Sequence, residues 1–264
     1  MRVGAAQGGT LGKGIIRTGI GGWVFPPWRG NFYPADLPQQ NELHYASRQL
    51  GTIEINSTYY GAQRPENFRR WHDETPEDFI FAVKGPAVAT QRRDLAGARD
   101  PVNRFFDTGV MELKSKLGPV NWQFTATQAF VPAQIAVFLE LLPRTLNGQK
   151  IRHALEVRHP SFKDAAFIAL ARAHDVAIVI AGDSEFPEIS SLTSDFVYAR
   201  IMGTTSAEPA GYGEAAIKSW RKRAVGWAKS RDVFLYVIGG HKPVNPAAAM
   251  ALAATKTPGR KARR

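Results

Sequence analysis

Eight short apolar segments, separated by stretches of helical spacing over 264 residues, predict an α/β fold. A strand-helix unit repeated about eight times argues for parallel pairing with right-handed crossovers, and eight units can close on themselves. The length suits one such domain, since a closed barrel takes roughly 250 residues. The expected architecture is therefore a (β/α)8 TIM-type barrel with its sixth helix short or missing. An open doubly wound sheet is the alternative, but it uses fewer strands and its glycine-rich phosphate turn is not convincing here.

In chain order, the first strand falls at residues 15–20 and the first helix at 41–50. The second strand, 52–56, precedes a helix at 65–72, and the third, 79–84, precedes one at 101–117. After the strand at 120–124, Ile135, Phe138, Leu139 and Leu142 share one face of a helix at 134–142, with Pro132 suiting its first turn and Pro143 its end. The strand at 152–157 leads to a helix at 163–174. The sixth strand, 177–181, is followed by 183–194, where Pro187 and several serines leave room for no more than a turn. Strands at 196–201 and 233–238 flank a helix at 214–229, and a helix at 246–254 completes the series.

Residues 15–254 read as a single barrel domain with no composition break. Residues 1–14, rich in glycine, read as a flexible leader, and 255–264 as a flexible basic tail. Of the net charge of +11, Lys256, Arg260, Lys261, Arg263 and Arg264 supply five, which leaves a mildly basic body carrying a short basic tail. The absence of cysteine excludes a disulfide framework, a thiolate metal site and a cysteine nucleophile. No apolar run approaches the ~20 residues of a membrane span, so a cytoplasmic protein without membrane association is expected.

Several tempting motifs fail. Gly8 to Gly14 has the glycines and lysine of a phosphate loop, but Gln7 stands where its first glycine belongs and Gly14 replaces the magnesium-binding hydroxyl residue. The six histidines lack the close helical pairing of zinc enzymes. No nucleophile elbow is present. The basic residues around 214–229, including Lys218, Arg221, Lys222 and Arg223, suit a solvated helix face better than a polyanion surface.

The informative feature is charge near the carboxyl ends of apolar strands. Alternation puts Glu54 and Asn56 on one face, groups Glu156 with Arg158, and groups Tyr198 with Arg200. Lys84 ends the third strand, and Gln123 lies between Trp122 and Phe124. In a parallel barrel these ends converge on one mouth, where active sites are built. Two acids and three bases enclosed together either neutralise one another as a structural plug or form a slightly cationic pocket for a polar or anionic small molecule. Glu54 and Glu156 are the expected acid/base pair if chemistry occurs, because burial and repulsion can raise one carboxyl while arginine keeps the other ionised. Trp23, Asn56, Tyr59, Lys84, Gln123, Arg158, His159 and Arg200 are the expected substrate-binding residues. The aromatics Trp23, Phe25, Trp28, Phe32 and Tyr33 either cover the barrel or form a stacking wall, which Tyr59 and Tyr60 would extend.

The sequence resembles the YecE-like family of uncharacterised proteins, a domain of unknown function. The resemblance runs from about residue 17 to 254. It rests on Thr18-Gly19-Ile20-Gly21-Gly22-Trp23, Phe32-Tyr33-Pro34, Glu54-Ile55-Asn56-Ser57-Thr58-Tyr59-Tyr60, Phe81-Ala82-Val83-Lys84, Leu117-Gly118-Pro119, Glu156-Val157-Arg158-His159 and Tyr198-Ala199-Arg200. It implies a barrel related to sugar isomerases. This chain departs from the family's pattern at Gln91, at Thr125-Ala126 and at Gly239-Gly240, all expected near the mouth.

The leading expectation is an enzyme acting on a sugar-like or phosphorylated small molecule by carboxylate chemistry, isomerase-like or hydrolase-like. One alternative is binding of nucleic acid or nucleotide through aromatic and basic groups, with Arg92, Arg93 and the tail contacting phosphate. Another is a non-catalytic ligand sensor. No cofactor is implied; a divalent metal on Glu54, Glu156 and Asp183 stays open as an option that lacks enough oxygen ligands. The oligomeric state is not legible.

Overall fold

The computed structural model describes residues 14–253. The expected leader falls outside them except for Gly14, as do the expected tail and residue 254. The strands are β1 (Ile16–Gly21), β2 (Thr52–Ile55), β3 (Ile80–Lys84), β4 (Leu117–Gln123) and β5 (His153–Glu156), then β6 in two pieces (Ala177–Ile178 and Ile180–Gly182), β7 (Phe196–Ile201) and β8 (Asp232–Val237). Each pairs in parallel with the next, and β8 pairs with β1. At β6 the ladder changes hands. Its first piece pairs with β5 and its second with β7, while the amide of Val179 between them bonds to the Leu155 carbonyl. The ring is thus a barrel, nearly closed, with one interrupted strand.

Among the described residues seven helices clothe it: α1 (Glu42–Gln49), α2 (Pro65–Glu74), α3 (Arg99–Asp107), α4 (Pro132–Leu141), α5 (Ala165–Ala173), α6 (Glu214–Trp227) and α7 (Asn245–Ala253). None follows β6. There the loop buries Ile189 and Thr193, and the Thr193 hydroxyl donates to the Val176 carbonyl while accepting from the Ile178 amide.

One expectation needs correction. The helix expected over 101–117 is broken, because Gly109 adopts a left-handed φ of 99° and a side chain there would meet Pro65 at 2.8 Å. The chain continues as a 3-10 segment, Val110–Lys116, into β4. Of the two readings open for the aromatic loop after β1, cover and stacking wall, cover describes most of it. Trp28, Phe32 and Tyr33 are buried, with both Phe32 and Tyr33 against Tyr45, and the Trp28 indole donates to the Lys242 carbonyl. A short antiparallel pair, Thr145–Leu146 with Gln149–Lys150, and single helical turns at Ser57–Tyr60 and Ala87–Thr90 were not foreseen.

Two apolar clusters result. The larger lies between the strands and the helices. The smaller, Ala82, Ala154, Ala177, Val179, Phe196, Tyr198, Phe234 and Tyr236, fills the inside of the barrel. Inward positions along β7 run Phe196, Tyr198, Arg200, so the filling passes from apolar to charged toward the carboxyl end.

Candidate functional site

At that end Glu54 and Glu156 lie fully buried inside the ring. Arg200, also buried, joins them: its Nη2 donates to Glu54 Oε1 at 3.1 Å and its Nη1 to Glu156 Oε2 at 2.5 Å. Arg158 closes on Glu156 Oε1 through Nε and Nη2 at 3.0 and 2.8 Å. The Tyr198 hydroxyl donates to Glu54 Oε2 at 2.5 Å. Asn121, which strand parity places beside Gln123 but which the sequence reading passed over, bridges both carboxylates at 3.3 and 3.2 Å. Every carboxylate oxygen therefore has a donor.

The electrostatics follow from that wiring. Burial alone would raise the Glu156 carboxyl, but the charges of Arg200, Arg158 and Lys84 prevail and hold it at about 2. Burial would likewise lower Arg200, and Glu156 and Glu54 instead push it above the usual guanidinium range. Tyr198 is pushed well up by burial and by Glu54, so it stays a donor. Among the described residues, the Nε of Arg200 and the Oδ1 of Asn121 are buried without a partner.

Above this layer opens a cavity of about 700 Å³, within the size range of small-molecule sites. Trp23, Asn56, Tyr59, Lys84, Gln123, Arg158 and Arg200 all line it, as do Tyr60, Arg70, Trp71 and Lys242. Five lining residues are basic and, among the described residues, none is acidic. Glu54 and Glu156 sit beneath the floor rather than on it. His159 is elsewhere: its Nδ1 lies 2.7 Å from the Ser161 hydroxyl and accepts the Ser161 amide, capping a 3-10 turn.

The loops give the wall its shape. The helical turn Ser57–Tyr60 brings the Tyr59 ring to 4.0 Å from Lys84 Nζ. That ammonium donates to Gln123 Oε1 at 2.6 Å, and burial followed by the charge of Arg200 lowers it to about 8. The amide nitrogens of Gln91 and Gln123 both donate to the Tyr59 hydroxyl, at 2.6 and 3.3 Å. Gln91 thereby locks an exit loop to the wall. Gly21 lets Asn56 approach closely, its Nδ2 lying 2.8 Å from where a Cβ would stand. Phe186, from the loop that replaces the sixth helix, lies 4.4 Å from the Arg158 guanidinium.

The three acids considered for a metal are not assembled. Asp183 instead accepts from the Trp220 indole at 2.7 Å, and no group of three His, Cys, Asp or Glu residues able to hold an ion occurs among the described residues. No helix among them is long and apolar enough to cross a membrane.

Comparison with known proteins agrees with the barrel. The family model "Protein of unknown function DUF72" matches residues 17–262. The chain is 31% identical over 151 residues to the "UPF0759 protein YecE" of Escherichia coli (strain K12), covering 56% of this chain and 50% of that protein. It is 28% identical over 115 residues to the "UPF0759 protein YunF" of Bacillus subtilis (strain 168), covering 42% of this chain and 40% of that one. These matches span half or less of the curated relatives' length. Crystal structures of DUF72 family proteins from Thermotoga maritima and Enterococcus faecalis superpose with TM-scores of 0.71 and 0.68 at 22% and 16% identity. Each comparison covers 90% of this chain, with 97% and 96% of the other, and supports the fold. The chain belongs to the DUF72 family.

Proposed function

We propose that this DUF72 protein binds, at the mouth of its barrel, a small anionic molecule such as a phosphorylated or carboxylated sugar-sized compound. The observation that carries the reading is the cavity with five basic and no acidic lining residues among those described. Lys84, Arg158 and Arg200 against Glu54 and Glu156 leave the floor with one positive charge more than it neutralises. An anion satisfies that excess through charge-assisted hydrogen bonds. Trp23 and Tyr59 offer flat faces to the rest of the ligand, and Asn56 and Gln123 offer amides.

In this reading Glu54 and Glu156 hold the arginines in place. The acid/base role expected of them from the sequence requires a carboxyl that exchanges a proton with the ligand, and Glu156 held at about 2 is poorly suited to it. Isomerisation or hydrolysis would then draw on Lys84 and Tyr59, which do face the cavity.

Thermal unfolding in the presence of ligands tests this. A phosphorylated sugar at a hundred times its dissociation constant stabilises by about 2.7 kcal/mol, a rise of roughly 5–10 °C in Tm for a domain of this size, and salt weakens the effect. Its neutral parent sugar gives no comparable rise. Glu156→Gln lowers the Tm of the free protein while enlarging the shift with phosphate, since the ligand then supplies the missing negative charge. Equal shifts for neutral and anionic sugars, or stabilisation by oligonucleotides alone, would refute the proposal. Abolished turnover of an identified substrate in Glu156→Gln, with binding intact, would restore the carboxylate to catalysis.

A further inference from the structure

Among the described residues, Lys84 and Lys242 are the two cations of the mouth that no carboxylate pairs with, and of these Lys84 is the buried one. Its Nζ has one hydrogen-bond acceptor among the described residues, the uncharged Gln123 Oε1, and otherwise faces the Tyr59 ring. The side chain is almost wholly buried yet lines the open cavity, with Arg158 and Arg200 lining the same floor. Glu54 and Glu156 are both engaged by arginine and Asn121. Neighbouring guanidinium charge and low polarity favour the free amine, the form that is nucleophilic. Burial and Arg200 hold Lys84 at about 8.

Tyr59 supplies the complementary group. Its hydroxyl oxygen accepts from Gln91 and from Gln123, which leaves the phenolic proton free to be donated toward the cavity. An amine without a counterion, a proton donor beside it and two guanidinium groups on one floor form a set that the binding of an anion alone does not require.

We infer that Lys84 is the nucleophile of this pocket, forming an imine with an aldehyde or ketone that also carries a phosphate or carboxylate. This deepens the reading above and rests on it. The amine nitrogen adds its lone pair to the carbonyl carbon, the displaced π pair at oxygen takes up the first hydrogen released from nitrogen, and the carbinolamine forms. Tyr59 protonates the departing hydroxyl, water leaves as the nitrogen lone pair forms the imine bond, and the second hydrogen from nitrogen returns to the Tyr59 phenolate, so that amine and carbonyl become imine and water. Arg158 and Arg200 hold the anionic end and fix the distance to the carbonyl carbon.

The test is reductive trapping on the full chain. Dihydroxyacetone phosphate and cyanoborohydride at pH 7.5, in which the reductant delivers hydride to the imine carbon, leave a stable secondary amine located by peptide mass mapping. The expected result is Lys84 labelled at least about tenfold faster than any exposed lysine, because an amine near 8 is far more deprotonated at that pH than one near 10.4. Inorganic phosphate in excess slows the labelling, and Tyr59→Phe slows it several-fold without abolishing the thermal shift. Lys84→Arg loses the selective adduct. Labelling spread evenly over exposed lysines, while dihydroxyacetone phosphate still raises the Tm, overturns the imine and leaves anion binding standing. Selective labelling of Lys84 that is equally fast with neutral dihydroxyacetone, with no thermal shift from phosphate, overturns the anionic ligand instead.

Discussion

Among the described residues two lysines are buried, one toward each end of the barrel, and the chain treats them differently. Lys116 precedes β4 at the amino-terminal end, where its ammonium donates to the carbonyls of His72 and Thr75 and to the Thr75 hydroxyl. Three hydrogens meet three oxygens, and the charge is sealed in place. Lys84 ends β3 at the carboxyl-terminal end, where one amide oxygen and an aromatic ring are its neighbours and the rest of its donor capacity faces a cavity. Both ammonium groups are lowered by burial. Similar solvent exposure therefore conceals unequal satisfaction, and unmet hydrogen-bonding capacity separates a ligand-facing group from a structural one.

The comparison breaks most severely at Arg200, on which the charged end depends. Arg200→Met leaves Glu54 and Glu156 facing each other with Tyr198, Asn121 and Arg158 as donors. The expected loss is about 3–5 kcal/mol of unfolding free energy in urea. Its pH dependence carries the sign. Glu156 is held at about 2, below its ordinary 4.5, so in the native chain its contribution is present above 4.5 and lost as pH falls toward 2. In Arg200→Met that carboxyl rises, and the variant's deficit shrinks between pH 7 and pH 4.5.

Substituting the two lysines sharpens the contrast. Lys116→Met strands two carbonyls and a hydroxyl, costing about 1–3 kcal/mol, and leaves the phosphate-induced thermal shift unchanged. Lys84→Met is neutral or stabilises by about 1–2 kcal/mol at pH 7 and weakens phosphate binding at least about tenfold. Because the folded value near 8 lies below the ordinary 10.5, the buried ammonium destabilises fully below about pH 8, and its penalty fades as pH rises to 10.5. The gain in Lys84→Met should vanish over that range. A gain persisting at pH 10.5 would assign it to packing.

The smallest effect is expected at Phe186→Leu. Removing the ring from Arg158 costs about 0.5–1 kcal/mol and weakens phosphate binding by a few-fold at most, measurable by calorimetry.

Much of this was legible in the chain. The eight strand positions hold to within three residues at their starts and two at their ends, because inward and outward alternation is written in segments such as Thr52 to Asn56. The missing sixth helix was legible from Pro187 and the serines around it. Strand parity also brings Glu54, Glu156 and Arg200 to one interior, yet parity gives a face and not a height. It could not show that the carboxylates lie under the arginines and outside the cavity lining. Asn121 was within reach by the same parity as Gln123. The Lys84–Tyr59 contact was not, since it depends on the helical turn after β2. His159 follows Arg158 in sequence but its ring is spent on capping a turn, a competition that spacing alone does not settle.

The loop standing in for the sixth helix has a consequence for how such a molecule diversifies. It is pinned at one end by the Asp183–Trp220 bond and toward the other by Thr193, while Phe186 reaches Arg158 between these anchors. Insertions or exchanges between the two pins would reshape the roof over one guanidinium without shifting a stave of the barrel. A change of ligand preference can thus be acquired at the seam, independently of the framework that keeps the molecule folded.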